Sequence, residues 1–423
     1  MLYNVFMALE NKKILIVGNS AKEHALASAL RKYDFVEKIY AASGNDAMGE
    51  FCELVDIRPD NPAELLNFVM ENDIDMTICT DEKAIKSDIV SIFQANNQII
   101  FGPSAQSAIP AISKSAGKKM FYRLRIPTPR FGIFEKQQQA VEYLKKSDYP
   151  VVIRTDESSE GADRQVCNTI QTAALFVEDL FVSGAEKIIL EDFVQGHEFI
   201  LYIITDGYHF LPLTACANYK FMEDGNGGIL TPGMGVYCPD YKLSYELQDR
   251  ILKEVAAPVL ENLAAREIPY LGILGIEGVL TSSDTYTILE LKPFLSNHDC
   301  QAVLNLVNEN LYTLFEACAV GSFADDYETL DISSNSSVSC VLSSGKIKDD
   351  VINGLDLADN VNINHFNTKR NEYFEYLTSG GRSLVLTKTS STLSRARELL
   401  YEDVDVINFR GKKFRKDICK SSD

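Results

Sequence analysis

Apolar positions along this chain follow two different periods, and each change of period predicts a change of architecture. Residues 13–17 (KILIV) are a short apolar run with β-branched side chains, which predicts a buried strand. The following GNSAKEHALASALRK has the spacing of an amphipathic helix opened by Gly18, Asn19 and Ser20. VEKIYAA, DMTICT and QIIFG read as further strands, with DIVSIFQAN helical between the last two. Strands alternating with helices over the first hundred residues predict a parallel, doubly wound sheet. From Ser113 the texture changes. SKSAGKKMFYRLRIPTPRF predicts a helix ended by a Pro-x-Pro turn. YPVVIRTD, KIILEDFVQG, EFILYIITDGYHFLPLT and GIEGVLTSSDTYTILEL predict strands with hairpin turns at Asp206 and Gly207 and at Ser282 to Asp284. This antiparallel α+β pattern puts a boundary at residues 104–112. Residues 324–337 are polar and aperiodic and read as a linker, followed by a small α+β domain with short strands (SVSCVLS, RSLVLT) and one helix (TLSRARELLYE). The expected spans are 1–108, 109–325 and 326–423.

Composition narrows the function classes. At 423 residues the chain is too long for one ordinary core, and its 46% apolar content can fill several. The net charge of −19 argues against nucleic acid or an anionic membrane as a partner. Anionic small substrates would need cationic pockets set against that field. Nine scattered cysteines without a CxxC pair read as reduced thiols of a cytoplasmic protein, and the five dispersed histidines make a zinc site unexpected. No apolar stretch approaches the roughly 20 residues of a membrane span, and the first residues lack a signal-peptide pattern.

The motifs, in order, resemble those of the phosphoribosylamine–glycine ligase family from Lys13 to Asp417. ILIVGNSAKEHALA is similar to the family's strand and G-N-G-G-R-E-H-A-L element. Gly44 and Asn45 match its P-G-N turn, and Glu82 matches its G-P-E turn. IFGPSAQSA, SK and IPTP resemble the entry to an ATP-grasp domain. LPLTACANYKFMEDGNGGILTPGMGVYCP follows the family's substrate loop without a gap, and SGGRSLVLT and FRGKKFRKDI resemble its closing segments.

The resemblance implies an α/β substrate-binding domain (1–108), an ATP-grasp domain (109–325, with a mobile lid near 126–196) and a C-terminal α+β domain (326–423). It implies a ligase that joins glycine to phosphoribosylamine in purine biosynthesis through an acyl phosphate, using ATP and Mg²⁺ or Mn²⁺, as a monomer or homodimer. Gly18, Asn19, Glu23, His24, Gly44 and Asn45 would hold phosphoribosylamine, the phosphate lying on the helix N-terminus. As a bare residue, His24 reads instead as a helix-face side chain with a satisfied hydrogen bond. In EDFVQGHE, Glu191 and the backbone at Phe193 and Val194 would meet the adenine edge, and Glu198 the ribose hydroxyls. Lys114 and Arg154 would meet the nucleotide phosphates, and Lys220 and Arg154 would act in catalysis. Lys220, Gly233 and Gly235, in a glycine-rich loop at 225–235, and Arg382 in SGGR would enclose the substrates. Glu290 would ligate the metal. Glu277, thirteen residues earlier, reads equally as a second metal ligand or as an edge-strand acid.

Three departures fall on the chemistry. The family's phosphate loop K-A-D-G-L-A-A-G-K-G stands here as RTDESSEGADR, with Arg154 for the strand-end lysine and Arg164 as a stand-in for the loop lysine. Its acids Glu157, Glu160 and Asp163 must point outward if a triphosphate is to bind, since one like-charge contact costs on the order of 4 kcal/mol at 4 Å. Lys292 stands where the family has a metal-binding asparagine, and Phe294 where it has a substrate arginine. Asn218 replaces an acid before Lys220. These changes leave two alternatives open: a ligase for another carboxylate and amine, and a binding module without turnover.

Overall fold

The computed structural model describes residues 11–157, 164–359 and 361–420. Its first sheet is parallel, in the order β3-β2-β1-β4-β5, from β1 (Lys12–Val17), β2 (Val36–Ala42), β3 (Glu53–Val55), β4 (Met76–Cys79) and β5 (Ile100–Phe101). Ile14 and Ile16 face one apolar cluster, and Leu15 and Val17 face another. That two-sided burial is what a continuous apolar run requires of a parallel strand. The helix Ala21–Leu30 follows β1, as its spacing predicts.

A second, four-stranded antiparallel sheet has the order β6-β9-β7-β8: β6 (Phe131–Phe134), β7 (Val151–Thr155), β8 (Arg164–Cys167) and β9 (Ile188–Asp192). Helices Gln137–Leu144 and Ile170–Val182 cover one face around Leu144, Ile153 and Val177.

The third sheet organises the molecule. It runs β14-β13-β10-β11-β12-β15-β18-β16, with β17 beside β18. Its members are β10 (His197–Thr205), β11 (Phe210–Glu223), β12 (Gly227–Cys238), β13 (Gly272–Leu280), β14 (Tyr286–Lys292), β15 (Ser336–Val351), β16 (Asn362–His365), β17 (Thr368–Arg370) and β18 (Tyr376–Ser390). Along β10, Ile200, Tyr202 and Ile204 join the cluster that the first domain shares with the helices Cys300–Leu304 and Leu311–Val320, while Phe199, Leu201 and Ile203 join that of the helices that carry Met120, Ile251 and Val259. The expected short strands after residue 337 are instead long. β15 spans 16 residues and β18 spans 15. The expected hairpin turns at 206–207 and 282–284 are present, joining antiparallel pairs.

The C-terminal strands continue this sheet, because β15 pairs with β12 from Gly235↔Cys340 to Cys238↔Ser337. Ala217 and Tyr237 also share a core with Leu342, Leu386 and Leu400. Among the described residues no helix is long and apolar enough to cross a membrane.

Leu386 is fully buried in that shared core. Leu386→Ala should cost about 2–5 kcal/mol. Because the sheet is continuous, calorimetry should show the loss as a downshift of an unfolding transition that includes the ATP-grasp strands. A separate transition for the last ninety or so residues alone would contradict that coupling.

Candidate active site

Glu277 on β13 and Glu290 on β14 are register partners, and both are buried. β13 lies between β10 and β14, so Glu277 is an interior carboxylate and not an edge-strand acid. Buried carboxylates need cationic partners, and five cations supply them. Glu290 accepts from Arg154 Nη1 at 2.8 Å, has Lys114 Nζ at 3.2 Å, and accepts from Lys292. Arg154 Nη2 donates to Glu191 at 3.1 Å, and Lys118 Nζ lies 3.1 Å from the same oxygen. Lys220 bonds Glu277 and lies 3.1 Å from Glu198, and Lys292 Nζ is 3.3 Å from Glu277 Oε2. Burial opposes every charge here. Even so, Lys114, Lys292 and Arg154 hold Glu290 well below the usual carboxylate range, and Glu191 and Glu290 raise Arg154. For Lys114 and Lys118 burial wins, and both are lowered.

This network floors a cleft of about 960 Å³ where the three sheets meet. Among the described residues eight Lys and Arg side chains line it against two carboxylates, Glu82 and Glu290, so in a chain of net charge −19 these residues form a strongly cationic pocket. Arg382 lies over the Phe366 ring at 4.5 Å. Burial first, then Arg164, pushes it down to about 10, and among the described residues it has no carboxylate in ion-pair reach. A narrow slot of about 60 Å³ continues between the small sheet and the large one, walled by Val152, Phe193, Val194, Val279 and Leu289 with Glu198 and Lys220 beside them.

Lys114, Arg154, Lys220, Glu277 and Glu290 are thus brought together, with Phe193, Val194 and Glu198 around the slot. Glu191 also lines the slot; Arg154 and Lys118 both meet its Oε1. The expected phosphate site at Gly18, Asn19 and Ser20 is corrected. Glu23 accepts from Ser20 N at 2.9 Å and from the Ser20 and Thr80 hydroxyls, so its own carboxylate takes the helix N-terminus. It lies against Gly18, where a Cβ would come within 2.8 Å of it, and Asn297 accepts from Lys22 N.

His24 is the satisfied helix-face residue: its Nδ1 accepts from His365 N–H at 3.2 Å and the two rings stack. Asn45 bridges Asn19 O and His365 O, at 3.0 and 3.2 Å, and Gly44 packs on Ala41 and Leu54. The glycine-rich loop is mostly strand β12. A Cβ at Gly233 would meet His298 at 1.9 Å, and one at Gly235 would meet Ile418 at 2.1 Å. Both are close-packing positions. Glu157 points outward onto Lys86 at 2.6 Å; Glu160, Gly161 and Asp163 lie outside the described residues. Phe294 is buried in the apolar wall.

The residues present do not fit a divalent ion held jointly by Glu277 and Glu290. Lys292 bridges the two carboxylates, and a divalent ion about 4 Å from its ammonium would be repelled by roughly 8 kcal/mol at an effective dielectric of 20. Among the described residues no group of three or more His, Cys, Asp or Glu side chains could hold a metal.

Three family models cover the chain. Phosphoribosylglycinamide synthetase N domain matches residues 12–109, the ATP-grasp (A) domain 112–295 and the C domain 344–421. The chain is similar to phosphoribosylamine–glycine ligase of Allochromatium vinosum, at 32% identity over 96% of this chain and 97% of that one. It is 29% identical to that of Clostridium acetobutylicum over 97% of this chain and all of the relative. The chain belongs to the phosphoribosylamine–glycine ligase family. The fold agrees with the crystal structure of the Thermotoga maritima ligase at a TM-score of 0.81 and 20% identity, covering 96% of this chain and all of that one. The doubly wound sheet followed by an ATP-grasp plan is therefore the family's architecture.

Residue reading within this ligase family missed Lys118. It sits four residues after Lys114 in SKSAGKK, on one helical face, and that i, i+4 spacing is the signal that finds it. Lys346 and Lys348 were missed too. They reach the cleft through the continued sheet, for which the local sequence holds no signal.

Burial pushes His24 and His298 down to about 4 and His365 to about 3. Their folded values lie below the unfolded value near 6.5, so their contribution to stability is full above pH 6.5 and is lost as pH falls toward 4. Each costs about 1.4 kcal/mol per pH unit within that window. Between pH 6.5 and 5.5 carboxylates are almost wholly ionised in both states, so the slope there belongs mainly to the histidines. His24→Gln should remove about one proton's share of the slope in denaturant titrations; an unchanged slope would contradict burial of neutral His24.

Proposed function

We propose that the chain is an ATP-dependent ligase that joins glycine to 5-phosphoribosylamine in purine nucleotide biosynthesis. The observation that carries this reading is the match of the whole chain to the family, together with a cationic cleft at the junction of its sheets. The chemistry is transfer of the γ-phosphoryl group of ATP to the glycine carboxylate, releasing ADP. The amine then attacks the acyl carbon, and phosphate leaves. This chain's part is to gather negative charge and to exclude water. Phe193 and Val194 would border the base, Glu198 the ribose, and Lys114, Arg154 and Arg164 the phosphates. Magnesium would enter on the nucleotide's phosphates. Arg382, which has no carboxylate partner among the described residues, would take the phosphate of phosphoribosylamine, with Lys22, Lys346 and Lys348 nearby.

Purified protein with ATP, Mg²⁺, glycine and freshly generated phosphoribosylamine should release phosphate only when all four are present. Turnover no higher than in a Glu290→Ala control would sink the reading. Arg382→Met should raise KM for phosphoribosylamine about 10–100-fold, the worth of one charge-assisted contact, with less change in kcat. A change in kcat alone would place Arg382 elsewhere in the reaction.

A second reading, a ligase for a different carboxylate and amine, is favoured by Asn218 and Phe294. Asn218 is engaged by His298 Nε2 at 3.0 Å, and Phe294 is buried. A screen of amino acids and amines for ADP release separates the two: activity with another pair and none with glycine selects the second.

A further inference from the structure

The floor of the cleft holds one group that the family's activity does not account for. Lys292 follows Glu290 by two residues on β14, so their side chains leave the same face of the sheet. Its ammonium donates to Glu290 Oε1 and lies 3.3 Å from Glu277 Oε2. That second oxygen is buried and among the described residues has no hydrogen-bond partner, so Lys292 serves it as a counter-charge at ion-pair distance. Room for the stem comes from Gly275, the register partner of Lys292, where a Cβ would lie 3.0 Å from the Lys292 Cβ and 2.7 Å from the Tyr202 ring. The remaining oxygens of the pair are bonded by Lys220 from one side and by Arg154 and Lys114 from the other.

Lys292 is unlike those three in one respect. Its side chain is 22% exposed and lines the cleft, whereas Lys114, Arg154 and Lys220 are 7–11% exposed. An ammonium has three donors. One is given to Glu290, Glu277 is held by charge at 3.3 Å, and donor capacity remains for the cleft. This is the arrangement expected of a cation that joins two carboxylates and presents positive charge to an incoming anion.

We propose that Lys292 is the resident cation of the Glu277–Glu290 pair, and that nucleotide phosphates bind against its ammonium without a divalent ion bridging those carboxylates. The inference rests on the reading that this cleft takes ATP, and it deepens that reading by assigning how the phosphates are held. A lysine that salt-bridges two carboxylates is a fixed monovalent charge, so binding of the nucleotide itself becomes insensitive to divalent cations. Magnesium carried on the phosphates stays outside the carboxylate pair. Lys292 is a binding residue in this scheme, and no proton transfer is asked of it.

The test compares the affinity for ADP in EDTA and in Mg²⁺ by calorimetry, with Mn²⁺ bound per ADP-saturated protein counted by electron paramagnetic resonance. In the wild type, affinity in EDTA should stay within about threefold of that in Mg²⁺, and Mn²⁺ signals should be indifferent to Glu277→Gln. Lys292→Met should weaken metal-free binding about tenfold or more, the worth of one charge-assisted contact, while Lys292→Arg keeps most of it. Lys292→Asn, which removes the ammonium and adds an oxygen donor, should gain a Mn²⁺ that is lost again with Glu277→Gln. Thermal melts confirm that each variant is folded, and the wild-type comparison needs no variant. A wild-type affinity that collapses in EDTA, with a Mn²⁺ that needs Glu277, overturns the proposal and leaves the ligase reading intact. Absence of ADP binding under both conditions overturns both. Failure to turn over glycine and phosphoribosylamine, with metal-independent ADP binding present, sinks only the choice of substrates.

Discussion

Buried charge compensation around Glu290 is the constraint on which the rest of the site depends. A carboxylate inside a sheet is costly unless its partners reach it with good geometry. The partners of Glu290 come from three places: Lys114 from the helix that opens the ATP-grasp region, Arg154 from the small sheet, and Lys292 from its own strand. Arg154 also reaches Glu191, whose other cation is Lys118. The small sheet is therefore tied to the large one through a guanidinium rather than through shared backbone pairing. Among the described residues the two sheets have no common strand. The floor of the cleft and the seating of the piece that roofs it are the same set of bonds.

A second layer of polar contacts holds the first domain against this frame. Asn297 accepts from Lys22 N, and Gln301 donates to Ala21 O at 2.9 Å, so the segment after β14 grips the first turn of the helix Ala21–Leu30. From the opposite side, His365 on β16 meets His24 and Asn45. Several residues that resemble substrate ligands thus serve as joints between domains. Their geometry shapes the cleft wall that a substrate meets, since the same joints place Lys22 at its edge.

Much of the architecture was legible from local pattern. The β1, β2 and β10 runs, the helix after β1 and both hairpin turns follow from periodicity and turn chemistry, which act over a few residues. The requirement for a cationic pocket follows from net charge and anionic substrates alone. The outward aim of Glu157 follows from electrostatics, and the structure supplies its partner, Lys86. Less legible were the long C-terminal strands. Polar spacing such as SSGKIKDD reads as turn or loop, and only pairing with β18 makes it extended.

Residue types and their order along the chain were enough for the family, the two kinds of sheet and the presence of Lys114, Arg154, Lys220, Glu277 and Glu290 in one region. Which of them would touch was decided by the tertiary structure. Arg154 and Glu290 are 136 residues apart, as are no two groups that local periodicity can relate. The same holds for Glu23 filling the helix N-terminus from Gly18, for Gly233 yielding its Cβ space to His298, and for Lys292 closing the gap between two carboxylates. In each case a charge or a volume is satisfied by a neighbour that only folding delivers, and a residue's chemistry in isolation names its needs but not its partner.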